Sequence, residues 1–223
     1  MSQQKTVVIT GANKGIGLEF VKFYQNTGWH VYAVCRKPSS ELMHLNVTII
    51  EGVDISLDES IEQLATTLTH DKIDLLINNA GAWCDSTLGE IDYGMLLQNI
   101  NINALGTLRV TEALLPFLNT NAKIAIITSK MGSNTDNTSG GRYGYRMAKA
   151  ALNTAAKSLS VDLKSKGIAV VLLHPGWVLT EMGGKNALIT TEQSISGMTH
   201  LIDKASLDSS GEFLAYDGKT IPW

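Results

Sequence analysis

Short, nearly continuous apolar runs rich in β-branched residues recur along the chain, separated by stretches whose apolar residues fall at helical spacing. Thr6 to Thr10, His30 to Cys35, Val47 to Ile50, Ile73 to Asn78, Lys123 to Thr128 and Ile168 to His174 are the candidate strands. Runs such as Ile73-Asp74-Leu75-Leu76-Ile77 and Val170-Val171-Leu172-Leu173 do not alternate with polar residues. That pattern suits parallel strands covered on both faces, whereas a half-solvated antiparallel sheet alternates. The intervening helices are expected over Ile16 to Asn26, Leu57 to Leu68 behind a Ser56 cap, Asp92 to Leu118 with Pro116 ending it, and Tyr143 to Lys164. Repeated β-α-β order predicts a doubly wound α/β sheet, and 223 residues fit one domain, 1–223.

The first strand runs directly into Thr10-Gly11-Ala12-Asn13-Lys14-Gly15-Ile16-Gly17, and a helix follows at once. Glycines there admit backbone angles closed to other residues and let a ligand approach the main chain, while the helix start offers amides and partial positive charge to a phosphate. The spacing is GxxxGxG, so the turn is a dinucleotide-site candidate, with a purely structural tight turn as the other reading. Farther along, Tyr145 and Lys149 stand four residues apart in a helix-forming segment, on one face and within reach of each other. A phenol with a nearby cation is a way to build an acid/base, although the spacing alone fits an ordinary surface pair equally well.

Charge and composition exclude several classes. Hydrophobic residues make up 44% and charged residues 17%, and the formal net charge of −3 with no basic run argues against a nucleic-acid partner. No segment reaches the about 18 uninterrupted apolar residues of a membrane span, and Met1 to Lys5 leads straight into the first strand without a signal-peptide pattern, so a cytoplasmic protein is expected. Cys35 and Cys84 read as reduced structural thiols, and His30, His44, His70, His174 and His200 lack metal-ligand spacing, so no metal is assigned.

Taken in order, TGANKGIG at 10–17, Asp54, NNAG at 78–81, Asn103 in NALG, Ser129, Tyr145 with Lys149, and HPGWVLT at 174–180 resemble the short-chain dehydrogenase/reductase family over essentially the whole chain. The HPGWVLTEMGG segment and the ending Gly-Lys-Thr-Ile-Pro-Trp are similar to its C-factor and sniffer-type carbonyl reductase group. The resemblance implies a Rossmann-like, three-layer α/β/α domain in which Tyr145 exchanges a proton with a carbonyl oxygen while a nicotinamide exchanges hydride with its carbon. It also implies that Lys149 favours the phenolate and bonds the nicotinamide ribose, that Ser129 holds the substrate oxygen, and that Asn103 links Lys149 to a proton path through water. Ser129 lies farther from Tyr145 than is usual, which leaves Ser133 as a second candidate, and Lys130 and Met131 beside Ser129 are also unusual.

For the cofactor, the resemblance assigns Gly11, Asn13, Lys14, Gly15, Ile16 and Gly17 to the phosphates, Asp54 to the adenine, and Asn79, Ala80 and Gly81 to the adenosine half. Tyr145 and Lys149 take the nicotinamide side, with Pro175, Gly176, Val178 and Thr180 beside the carboxamide and pyrophosphate; His174 reads as a strand-end core residue. The second strand ends in Val34-Cys35-Arg36-Lys37 without the acidic residue of NAD sites, and Arg36 with Lys14 suits a 2′-phosphate, so NADP(H) is expected over NAD(H). Glu181 to Ser196 is expected to form part of a substrate lid, and a hydrophobic aldehyde or ketone is expected against Trp83, Met131, Tyr143 and Trp177. The resemblance implies a homodimer through Leu96 to Leu115 and Ala148 to Leu163. Two other readings remain: a sugar-nucleotide epimerase or dehydratase, for which the chain is short, and an NADP(H)-binding signalling or developmental sensor with little turnover.

Overall fold

The computed structural model describes residues 4–68 and 72–223. Met1 to Gln3, within the segment read for a signal-peptide pattern, and His70 lie outside them. Seven strands, β1 (Thr6–Thr10), β2 (His30–Val34), β3 (Thr48–Ile50), β4 (Ile73–Asn78), β5 (Leu118–Ile127), β6 (Ala169–His174) and β7 (Phe213–Ala215), form one sheet in the order β3-β2-β1-β4-β5-β6-β7. Every neighbouring pair is parallel. The helices are α1 (Gly15–Asn26), α2 (Ser40–Met43), α3 (Asp58–Thr67), α4 (Tyr93–Ile100), α5 (Gly106–Leu114), α6 (Tyr143–Asp162) and α7 (Thr191–Lys204).

Parallel strands with both faces covered explain the unbroken apolar runs. Along β1, Val8 enters one core layer with Leu64, Val110 and Leu152 of α3, α5 and α6. Its neighbours Val7 and Ile9 enter the other, with Phe20 and Val21 of α1 and Met198 and Ile202 of α7. The predicted α/β/α layering is therefore present. Strand order reverses between β1 and β4, and in open α/β sheets that switch point leaves a crevice at the carboxyl ends of the strands.

Several expected boundaries move. Asp92 to Leu118 is not one helix: the Asp92 carboxylate caps α4 by accepting from the Met95 amide, a π-helical turn spans Asn101–Leu105, α5 follows, and Pro116 lies in a 3₁₀ turn. Leu118, expected to be helical, begins β5, whose register against β4 shifts between Ile73 and Leu75. Ser56 does not cap α3, because its hydroxyl is taken by Asp54; Leu57 occupies that position with no side-chain cap. The stretch from Glu181 to Ser196 is a loop only at first, since a Thr190/Gln193 capping box starts α7. The strand β7 was not expected at all. No helix among the described residues is long and apolar enough to cross a membrane.

Candidate active site

The turn after β1 is built by close backbone contact. Gly11 adopts φ +66, and a Cβ on Gly17 would lie 2.2 Å from the Gly11 carbonyl oxygen, so the turn closes only without a side chain there. The adjacent Asn79 side chain ties the strand-end segment to this turn, donating from Nδ2 to the carbonyls of Thr10 (3.0 Å) and Gly11 (3.2 Å). Thr10 completes the strap, its hydroxyl accepting from the Asn79 and Ala80 amides, both at 3.1 Å. Thr10 opens the motif at 10–17 but was given no role of its own from the sequence.

These segments open onto a cleft of about 510 Å³. Gly11, Asn13, Lys14, Gly15, Ile16 and Gly17 form one wall. Arg36, Asp54, Asn79, Ala80 and Gly81 also line the cleft, as do Asn103, Tyr145, Lys149, Pro175 and Thr180. Cys35 follows β2 as a buried residue, and no carboxylate stands at that strand end. Arg36 reaches to 4.0 Å from Asp54, whose carboxylate accepts from the Ser56 amide (2.9 Å) and hydroxyl (2.6 Å). Burial works against that charge, yet the Ser56 bonds and Arg36 together hold the Asp54 carboxyl below its usual range. Lys14 pairs with Glu181 across the mouth of the cleft, both side chains largely exposed.

A second cavity, of about 770 Å³, shares Tyr145 with the first. Ser129, Gly176 and Val178 face this cavity and not the cleft. Trp83, Met131 and Trp177 are on its wall as expected, whereas Tyr143 is not among the lining residues. The loop after β6 folds back on itself: Val178 bridges Ile189, the Trp177 indole donates to the Gly183 carbonyl at 2.7 Å, and the Ser194 hydroxyl fastens Pro175 at 2.6 Å. Met182 and Leu188 stand exposed at its edge.

Tyr145 and Lys149 lie one turn apart on α6, and both are buried. The Lys149 ammonium is 5.7 Å from the Tyr145 ring centroid and donates to the Ile127 carbonyl at 3.1 Å. Burial pushes Lys149 down to about 8. Burial also pushes Tyr145 up to about 12, against a smaller opposing effect of the Ser129 hydroxyl. Desolvation thus holds the phenol protonated near neutral pH. Trp83, outside the expected catalytic set, packs on the Tyr145 ring with centroids 4.6 Å apart.

Ser129 sits at the end of β5 with its hydroxyl also accepting from the Met131 amide at 3.1 Å. Ser133 is buried elsewhere, capping Asp136, and lines neither cavity. Asn103 stands in the π-helical turn, its side chain donating to the carbonyls of Ala82 (2.9 Å) and Asn99 (3.0 Å) and accepting from the Ala82 amide (3.3 Å). A Cβ on Gly81 would lie 2.7 Å from the Asn103 oxygen and 3.7 Å from the Lys149 ammonium, so Gly81 is the gap through which these two groups approach. Asn99, which the sequence reading passed over, completes the cluster by donating to Ala82 at 3.2 Å; two amides four residues apart in an apolar helix were its signal. His174 ends β6 against the second cavity, and burial, with Lys130 next, lowers it to about 4, so it is neutral near pH 7. Cys35 and Cys84 are free, buried thiols, and no cluster of three metal-ligating side chains occurs among the described residues.

The sequence pattern of the family described as short chain dehydrogenase matches residues 5–188. The chain belongs to that family. Among curated relatives, this short-chain dehydrogenase is 39% identical to the 1-hydroxy-2-glutathionyl-2-methyl-3-butene dehydrogenase of Rhodococcus sp. (strain AD45), over 98% of this chain and 99% of that one. It is 48% identical to the C-signal protein of Myxococcus xanthus over 71% of this chain and 98% of that protein. Of solved structures, NADPH-bound carbonyl reductase from chicken fatty liver superposes with a TM-score of 0.92 at 31% identity, covering 99% of this chain and all of the other. Carbonyl reductase Sniffer of D. melanogaster gives 0.91 at 31% identity with the same coverage. Membership makes the chain an oxidoreductase of the C-factor and sniffer type.

Proposed function

We propose that this short-chain dehydrogenase reduces an aldehyde or ketone to an alcohol with NADPH, with Tyr145 as proton donor. The observation that carries the reading is the position of Tyr145, on the wall common to a glycine-rimmed cleft and an adjoining cavity that Ser129 also lines, with the Lys149 ammonium over its ring. The cleft fits a dinucleotide: main chain is bared at the turn after β1, Lys14 and Arg36 supply cations, and no carboxylate ends β2 to claim a ribose diol. Gly11 to Gly17 would hold the pyrophosphate, Arg36 with Lys14 the 2′-phosphate, and Asp54 with Asn79 to Gly81 the adenosine half. Pro175 and Thr180 would hold the nicotinamide end, with Gly176 and the Val178 main chain on its far side. When bound, NADPH supplies the hydride.

The remaining chemistry is the protein's own. A phenol held protonated at neutral pH is a general acid as it stands, and Ser129 can bond the same carbonyl oxygen as negative charge builds there. Lys149, close to its own neutral point, can stabilise the phenolate that is left and return a proton to it. Asn103 orients the Ala82 segment beside that ammonium. The relatives named as NADPH-bound or Sniffer carbonyl reductases support the cofactor and the substrate group. NADPH oxidation across a panel of aldehydes, ketones and quinones tests the proposal: turnover by the parent and its loss in Tyr145→Phe with cofactor binding intact support it. Turnover by Tyr145→Phe at the parent rate refutes the proton donor.

A binding-only reading, as an NADP(H)-dependent signalling or developmental sensor, draws on the likeness to C-signal; tight NADPH binding with no turnover across the panel favours it. We also propose a cytoplasmic homodimer. Leu96, Ala148 and Leu152 face inward, whereas Tyr93, Leu97, Leu105, Met147 and Val161 of the same segment and α6 stand exposed and offer the paired surface. Sedimentation analysis at micromolar concentration checks the dimer.

A further inference from the structure

The second cavity carries a charge pattern that proton and hydride transfer do not require. Its lining includes Lys130, Arg142 and Arg146, with Asp136 the single carboxylate, in a chain whose formal net charge is −3. Lys130 lies 3.9 Å from Asp136, so that carboxylate is engaged. Among the described residues, neither Arg142 nor Arg146 has a carboxylate within ion-pair distance. His174 is neutral and adds no charge.

Arg142 immediately precedes α6 and Arg146 lies in its first turn, so the two flank Tyr145 along the chain, and both line the cavity. Arg146 is under-satisfied: one terminal nitrogen donates to the Ser139 hydroxyl at 3.0 Å, the other only to the Met131 carbonyl at 3.4 Å, and Nε, shielded from solvent, has no acceptor. The buried Nε is closed to a ligand as well, but the terminal nitrogen held only by the long Met131 bond can turn to an incoming oxyanion. Arg142 adds an independent observation. It adopts φ 52, a left-handed conformation uncommon for a side chain of this kind, held by its amide donating to the Ser86 carbonyl at 2.9 Å. Strain of this type persists where the surroundings impose it, commonly at sites that hold ligands.

We propose that the carbonyl substrate carries a carboxylate, bound by Arg142 and Arg146, joined to the carbonyl through an apolar body lying along Trp83 and Trp177. The inference rests on the reading of Tyr145 as a carbonyl-reducing centre and narrows its substrate class. Guanidinium favours a carboxylate because its planar fork matches two oxygens at once. The cations come from residues 130, 142 and 146, outside the loop that follows Glu181.

The test compares 4-formylbenzoate with its methyl ester under NADPH. The parent protein is expected to favour the carboxylate by about tenfold in kcat/KM, the size of one charge-assisted hydrogen bond, mainly through KM. Arg146→Met and Arg142→Met should each erase most of that preference, lowering kcat/KM for the acid about tenfold more than for the ester, with Arg146→Lys restoring part of it. Equal or better use of the ester, or variants that slow both substrates alike, overturns the inference. Should neither aldehyde react, the reductase reading fails and binding decides the carboxylate separately: with NADPH-saturated protein, 4-(hydroxymethyl)benzoate must bind about tenfold tighter than its amide, a margin lost in Arg146→Met. Equal binding of acid and amide overturns it.

Discussion

Lys149→Met should stabilise the cofactor-free protein near neutral pH while abolishing turnover. The ammonium is 5% exposed and has one hydrogen-bond acceptor, the Ile127 carbonyl. Burial lowers it from 10.5 to about 8, so carrying the charge into the fold at pH 7 costs about 3 kcal/mol. Methionine has similar length and no charge; leaving Ile127 without its donor costs about 1 kcal/mol, for a net gain of about 2 kcal/mol. That corresponds to a Tm higher by about 4–8 °C in a chain of this size. The sign with pH follows from linkage. Because the folded pKa lies below the unfolded one, the unfolded chain holds more protons between pH 8 and 10.5, and the parent gains stability as pH rises through that window. The variant lacks this gain, so its advantage should shrink by about 2 kcal/mol between pH 7 and pH 10. Urea unfolding of both proteins without cofactor at the two pH values measures it. An advantage that does not change with pH refutes the argument, as does a variant less stable than the parent at pH 7.

Three further outcomes are expected. Gly17→Ala forces a Cβ to 2.2 Å from the Gly11 carbonyl oxygen, and urea unfolding should show a loss of about 1–3 kcal/mol, with NADPH affinity lost in a fluorescence titration. Ser129→Ala should lower kcat by about 10²–10³ while Ser133→Ala, whose hydroxyl only caps Asp136, keeps it, as steady-state rates will tell. Arg36→Ala should reduce kcat/KM for NADPH by about tenfold or more and spare NADH; a parent that prefers NADH defeats the cofactor assignment.

The sheet was legible because burial on both faces writes itself into sequence as unbroken apolar runs, and the turn after β1 because only glycine fits where backbone meets backbone. Helix interruptions were less so. Asn101 to Leu105 keeps a helical apolar pattern, and its π-helical turn coincides with a long-range bond from Asn103 to Ala82 that no local propensity encodes. Strand β7 escaped because three residues after a polar turn carry little periodic signal, and α7 because its capping box was absorbed into the expected lid. At the site, helical spacing put Tyr145 and Lys149 one turn apart, whereas Ser129 was reached only through the family resemblance. The direction of the Tyr145 shift could not be read, since it depends on how much solvent the surrounding side chains exclude. The same holds for Arg142 and Arg146, which look like surface charges until the loop from Lys130 to Ser139 closes beside them.

The widened turn at Asn101–Leu105 works as a phase shifter. Upstream of it α4 packs against α6, while downstream α5 packs against α3 and β4. One surplus residue lets a single continuous rod serve two partners at different rotations. Excising a residue there would restore a regular helix yet swing everything beyond it by about 100°. Val110 and Leu114 would then leave the sheet, so this short segment fixes the rotational setting of the whole layer that carries Asn103.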